Sequence, residues 1–508
     1  MGPQDVHEDT PLLIARHGAP QECPKPTPTP LPWPQLSILM LLHLAEAITS
    51  QVVAPFLPQL IRDIGVTHGD DSQVGYYVGL VHSLFYISQA CTVFYWSRAS
   101  DHIGRRPIVL IGLAGISMTM YGVGLSRTLW SLALSRSLSG ALNGNVGVIK
   151  SMIPEITDST NVAHAFSFVP LTWYLGTTIG PLIGGSLERP TEKFPVMFGN
   201  FSFFKEYPYF LPCFVSAAYA VICWFIVALF LKETIKAQMS PMEYFLGHWR
   251  KSQTSCEDSP VAAEDGAIID GHENPSSFRE LLTTPVLIAA GSYASFAILE
   301  ISFRTMFPVY LATPMEMGGL GLDPPVMGTI LAAVGISASA FQLLLFSPLY
   351  NHLGGKNLFL MAMSLFFPIA ALFPIASHVG QEHGLNNFVW LLVGIQILLF
   401  AFANLALSKP SNSLLCLDRM TDHVFRAGVS FVYVNSAAPN RASIGATTGF
   451  AQMVVSGVRG IGPSAINSAF ALGIQKRVMG GHFAYWVMAG MAAISLVIGA
   501  ALPKRPSN

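Results

Sequence analysis

Twelve stretches of about 20 mostly apolar residues run through this sequence, and they leave a chain few ways to fold. They lie at about 36–61, 75–97, 107–127, 129–153, 164–187 and 208–231, and again at about 285–312, 324–349, 357–377, 388–408, 442–472 and 482–502. A helix of about 20 apolar residues crosses the hydrocarbon layer, and there every backbone polar group must be satisfied within the segment. Only 11% of the 508 residues are charged, against about 25% in soluble domains. The expected fold class is an all-α membrane protein of twelve transmembrane helices in two pseudo-symmetric six-helix bundles.

The domain division follows from where polarity returns. Residues 1–34 form a polar, Pro-rich cytosolic tail, 35–232 a first bundle, 233–284 a hydrophilic cytosolic linker and 285–503 a second bundle. The tail is no cleavable signal, because its first apolar run begins only near Gln35. Lys and Arg are more frequent on the segments that are cytosolic when both termini are inside. In that topology the sequon Asn200-Phe201-Ser202 falls in a non-cytosolic loop. The net charge of -1 argues against a nucleic-acid partner. Six scattered cysteines show neither metal-ligand spacing nor a disulfide framework, so no metal and no cofactor are expected.

The two halves echo each other. Tyr350-Asn351-His352-Leu353-Gly354-Gly355-Lys356 follows the eighth run as Ser100-Asp101-His102-Ile103-Gly104-Arg105-Arg106 follows the second, and Gly462-Pro463 mirrors Gly180-Pro181. The polar segment 409–428 breaks the match: it is either a cytosolic loop insertion or a retained intron.

Four groups of residues carry chemistry. The first is the loop 97–106, where Gly104 permits a tight turn and the arginines hold the loop in the cytosol. Asp101 suits a helix N-terminus in the opposite half, and Arg105 is placed to bridge to Glu155; alternatively the arginines only set topology. The second is the fifth run, in which Gly176, Gly180 and Gly184 share one helix face, with Pro181 and Gly185 beside them. Such a face admits a close backbone, either for motion or for simple packing. The third is Glu46, with His43 one turn before it, in the middle of the first run. An ionisable group at that depth marks a cavity or proton path, and Arg136 in the fourth run is its natural counter-charge, in a proton-coupling role or as a static ion pair. The fourth is Glu300 and Arg304, four apart on one face of the seventh run, lining a cavity or neutralising one another. Arg459, His82, Tyr174 and Gln342 are further lining candidates. In the tail, Glu8-Asp9-Thr10-Pro11-Leu12-Leu13 has the form of an acidic dileucine sorting signal.

These motifs resemble those of the major facilitator superfamily. Loop 97–106 is similar to its motif A, with Ser97 and His102 as departures; Arg136-Ser137-Leu138-Ser139-Gly140 resembles motif B, and Gly176 to Gly185 resembles the antiporter motif C. The resemblance covers about residues 33–503. Together with Leu44-Ala45-Glu46, Pro58-Gln59-Leu60-Ile61-Arg62-Asp63-Ile64 and Gly449-Phe450-Ala451-Gln452, it points to fungal zinc-induced facilitator-like transporters among the twelve-helix drug:proton antiporters, although Ala47 stands where Pro commonly follows the Glu.

The resemblance implies a proton-coupled antiporter exporting a small organic molecule by alternating access. In it, Glu46 carries the proton, Arg136 tunes it, and the motif A network stabilises the outward-open state. Expected partners are substrate, protons and the lipid bilayer, with the chain acting as a monomer in the plasma membrane or a vacuolar or endosomal membrane. A proton-coupled importer and a transport-inactive sensor are the alternatives. An enzyme is not expected, as no phosphate-binding loop or nucleophile–base pair is present and no catalytic residue is assigned. The cargo has no signature in the sequence, and zinc is not implied, because no His- or Asp-rich ligand cluster occurs.

Overall fold

The computed structural model describes residues 29–158, 160–235, 283–407 and 444–502. The dileucine-type motif, most of the linker and the segment 409–428 lie outside the described residues. Among those described, regular structure is helical and no strand occurs. Each apolar run falls on helix. The first run forms α1 (Trp33–Gln51) and α2 (Leu57–Ile64); α3 (Val74–Ile103) and α4 (Arg105–Gly124) follow. The fourth run is broken into α5 (Leu129–Leu142) and α6 (Asn145–Ile156), and α7 (Val162–Leu187) is the fifth. Three short helices, α8 (Pro190–Lys193), α9 (Pro195–Phe198) and α10 (Ser202–Glu206), lead into α11 (Phe210–Phe230). The second set comprises α12 (Thr284–Ala312), α13 (Pro324–Leu344), α14 (Phe346–Ser364), α15 (Phe366–His383), α16 (Asn387–Ala403), α17 (Ile444–Lys476) and α18 (Phe483–Ala500). Among the described residues, six helices are long and apolar enough to cross a membrane by length and composition alone, or seven if one bent pair counts as a single span.

Local chemistry sets several ends. Thr128 and Ser131 form a reciprocal capping box at the start of α5, and the Asn386 side chain accepts from the Val389 amide at the start of α16. Gly104 turns the chain between α3 and α4 at φ 105°, and Gly354 does the same inside α14 at φ 73°, where the second half carries its echo of the loop.

Helix packing repeats between the two sets. α1 packs on α7 and α11, and α12 packs correspondingly on α17 and α18. α3 packs on α5 as α13 does on α16, and α4 packs on α11 as α14 and α15 do on α18. The echo extends to single bonds: Arg106 Nη2 donates to the Ala228 carbonyl near the end of α11, and Lys356 Nζ donates to the Ala500 and Leu502 carbonyls at the end of α18, at 2.6 and 2.7 Å. A cation on a helix C-terminus is favoured in both places.

The two sets meet chiefly through α7 against α13 and α3 against α17. These contacts lie at the ends of the helices remote from loop 97–106. A Cβ on Gly79 would stand 2.7 Å from the Pro463 carbonyl oxygen, and one on Gly328 2.5 Å from that of Pro181. The Ser464 amide donates to Ser83 Oγ at 3.0 Å, and Arg62 Nη2 donates to the Ala312 carbonyl at 2.8 Å. The molecule is therefore sealed on one side by close backbone approach.

Candidate functional site

Buried charge gathers midway along the helices. Glu46 is 3% exposed on α1, and its ion-pair partner is His43, with Nδ1 3.6 Å from Oε2. That oxygen makes no hydrogen bond, although it is buried. Arg136, expected as the counter-charge, forms no ion pair with Glu46. Its guanidinium instead lies over the Phe85 ring, 4.9 Å from the centroid, and its Nε has no hydrogen-bond partner. Charge opposition alone suggested the pair; instead the two groups both line one small cavity, together with Thr49, Ser139 and Asn143. An aromatic face compensates a guanidinium without removing its capacity to donate.

The second half holds its carboxylate differently. Glu300 on α12 is bound by Arg304 one turn later, and Arg459 Nη2 of α17 lies 3.5 Å from its other oxygen. A second cavity opens between the halves and is lined by Gln51, Thr177, Pro181, Phe303, Arg304 and Phe400, among others. Tyr86 of α3 lies within electrostatic reach of Arg136, Glu300, Arg304 and Arg459, so the charges of both halves share one neighbourhood.

Sequence reasoning missed two members. Lys150 on α6, hidden inside an apolar run, is electrostatically coupled to Glu46 and Arg459. The break at Asn143-Gly144 was also unforeseen; there Trp96 Nε1 donates to the freed Ala141 carbonyl at 2.7 Å. A discontinuous helix beside a charged cavity matches the way transporter sites are built. Of the other lining candidates, His82 is within electrostatic reach of Arg136; Tyr174 and Gln342 are buried, and neither lines the two cavities described.

The five motif C residues face two ways. Cβ atoms on Gly176, Gly180 and Gly184 would meet α1 or the turn after it: Ala47, Gln51 with Ile48, and Val52. Gly185 and the Pro181 carbonyl instead face Pro324 and Gly328 of α13. One stripe thus welds α7 to α1 within a half, and its edge closes the seam between halves.

Loop 97–106 is woven into its own half. Arg105 Nη1 pairs with Asp101 at 2.7 Å and Nη2 with Glu155 at 2.9 Å. Asp101, expected against a helix of the opposite half, has its ion pair one turn away instead. Glu233, at the start of the linker, accepts from the Arg105 and Arg106 amides at 2.8 and 3.1 Å and so caps α4. Thr234 Oγ1 donates to Glu155 at 2.5 Å. Neither linker residue was anticipated, because nothing in a polar stretch singles them out. Nearby, Asp158 accepts from Thr29 and Thr160 hydroxyls, and these bonds hold its carboxyl down at about 2. No group of His, Cys, Asp and Glu able to hold a metal occurs among the described residues.

Comparison with known proteins agrees with this architecture. The chain is 30% identical to the major facilitator-type transporter psiT2 of Psilocybe cubensis, over 87% of this chain and 84% of that protein. It is 26% identical to the multidrug transporter mfsB of Aspergillus fumigatus, over 91% and 82%. Identity to ZINC INDUCED FACILITATOR 1 of Arabidopsis thaliana is 25%, over 93% and 91%. Among solved structures, a bacterial homologue of the lysosomal transporter Spinster, in an inward-facing unoccupied conformation, superposes with a TM-score of 0.60 at 15% identity, covering 93% of this chain and 97% of that one. The family model of the Major Facilitator Superfamily matches residues 39–463. With repeated helix packing, a charged cavity between two halves and this match over most of its length, the chain belongs to the major facilitator superfamily of membrane transporters.

Proposed function

We propose that this transporter is a proton-coupled antiporter that exports a small organic molecule from the cytosol, with Glu46 as the proton carrier. The observation that carries the reading is the asymmetry of the two buried carboxylates. Glu300 is held by two guanidiniums, those of Arg304 and Arg459. Among the described residues Glu46 has His43 as its one ion-pair partner, and it presents a hydrogen-bond-free oxygen at a cavity. A carboxylate in that setting is suited to load and release a proton. The antiport direction draws on the motif C stripe and on relatives named as multidrug transporter and efflux pump.

In this reading, segments 35–232 and 285–503 rock as bodies joined by the linker 233–284, and the seam of α7 with α13 and α3 with α17 parts to release substrate. With both termini in the cytosol, the described arrangement is the cytosol-facing one. The Asp101–Arg105–Glu155 network is then the resting form of a latch that engages the other half in the outward-facing state. The chain works as a monomer in the plasma membrane or a vacuolar or endosomal membrane.

The test is transport by oriented vesicles reconstituted with Glu46→Gln protein. Export driven by a proton gradient should be lost while substrate exchange at equilibrium persists; export against a gradient by the variant would refute the assignment.

One observation favours a second reading, proton-coupled uptake of an anion. Around Tyr86 and Glu46 the site holds two carboxylates, Glu46 and Glu300, against four cations, Arg136, Lys150, Arg304 and Arg459. Protonating Glu46 raises that positive excess and so strengthens binding of an anion rather than competing with it, which is the linkage of a symporter. If acid pH tightens anion binding and protons move with the substrate, the uptake reading replaces the export reading.

A further inference from the structure

The connection between α7 and α11, residues 188–209, carries an exposed apolar patch between its charged ends. Most of its charges are paired. Lys193 Nζ lies 2.7 Å from Glu188 and donates to the Gly185 carbonyl at 2.7 Å. Arg189 Nη2 pairs with Asp63 at 2.8 Å, and Glu206 pairs with Arg127 of the α4–α5 turn at 2.8 Å. Between Phe194 and Phe203 the exposed side chains are mostly apolar: Val196 is 99% exposed, Met197 69% and Phe201 56%. A contiguous exposed apolar patch of this kind marks a contact with another apolar surface.

The apolar surface does not stop at the loop. Phe201 and Phe203 lie 6.3 and 5.5 Å from Phe204, Phe203 is 5.0 Å from Phe210 at the start of α11, and Phe210 is 5.8 Å from Phe214. From there Phe214, Ile222, Phe225 and Leu229 continue along one exposed face of α11. In a membrane helix such a face is the one that meets lipid. Level with the loop, Trp130 stands 84% exposed at the first turn of α5, three residues after the Arg127 that binds Glu206. A tryptophan in that position marks the interfacial layer of a bilayer.

We infer that residues 194–203 lie in the interfacial layer of the bilayer, with Val196, Met197 and Phe201 inserted at the boundary of headgroups and acyl chains. The loop is a membrane anchor that holds the outer end of α7, the helix carrying the motif C stripe. The partner is lipid, because the patch continues an acyl-facing helix surface and shares the depth of an interfacial tryptophan.

The test uses the full-length chain in lipid vesicles, with the photocrosslinking residue p-benzoylphenylalanine incorporated singly in place of Val196, Ile222 or Glu192. Ile222 is the lipid-facing control and Glu192, 68% exposed on its side chain, the aqueous one. Mass spectrometry should find phospholipid adducts at position 196 at a yield within about twofold of position 222 and at least fivefold above position 192. A yield at 196 equal to that at 192 would overturn the inference. So would a dominant adduct with a second copy of the chain, which would make the patch a subunit contact.

Discussion

Replacing Gly185 by alanine should bias the transporter between its two major states, whereas replacing Gly184 should not. The new Cβ in Gly185→Ala overlaps the Pro324 carbonyl oxygen and stands 3.1 Å from the Gly328 Cα, both in the other half. In Gly184→Ala it overlaps the Val52 carbonyl and lies 3.3 Å from Pro55 Cδ, both in the same half. Overpacking of this kind costs about 1–3 kcal/mol. At position 185 the strain exists only while the seam is closed, so it subtracts from the closed state alone. The ratio of seam-open to seam-closed molecules should rise by about fivefold to 150-fold. At position 184 the strain is present in both states, so the ratio stays put and thermal stability falls instead. Pulsed electron–electron resonance between spin labels on Glu192→Cys and Glu316→Cys, in loops of the two halves, would report the populations. An equal shift in both variants, or none in Gly185→Ala, would refute the division of the glycine stripe into two faces.

Two further predictions follow from the polar contacts around loop 97–106. Glu233→Ala removes the acceptor for two amides at the start of α4 and should lower stability by about 0.5–2 kcal/mol, while Glu233→Gln should recover part of it; denaturation in detergent measures both. Asp158 lies well below the ordinary carboxylate value of 3.8, so its stabilising contribution is present above that value and is lost only as pH falls through about 2. The Thr29 contact should therefore protect the tail from proteolysis equally from pH 5 to 8, and Asp158→Asn should weaken protection throughout that range.

The helices were legible because lipid allows so little else: each apolar run became helix, and the repeated loop at 350–356 correctly announced a repeated packing scheme. The glycine stripe was legible as a close-approach face, since periodicity places Gly176, Gly180 and Gly184 together. Which helix approaches is a property of the tertiary arrangement and cannot be read from spacing. The same limit explains the site. Glu46 stands out because a carboxylate inside an apolar run is costly, and His43 one turn before it is readable from spacing; whether Arg136 of another helix reaches it depends on packing, and here Arg136 lies over Phe85 instead. Lys150 was masked by the apolar residues on either side of it. Glu233 was masked by the linker, where one more acidic residue carries no information until α4 is seen starting on it.

The seam between the halves is made largely of main chain. Carbonyls of Pro181, Pro324, Pro463 and Asn467 rest against Gly328, Gly185, Gly79 and Gly75. Closing such a surface freezes almost no rotamers, whereas locking long side chains together costs up to about 2 kcal/mol each in lost rotamer freedom. Closure therefore carries little entropic penalty, and the balance between states rests on contact and desolvation alone. Opposing conformations can then stay near equal free energy, and cycling between them needs no repeated melting and ordering of side chains.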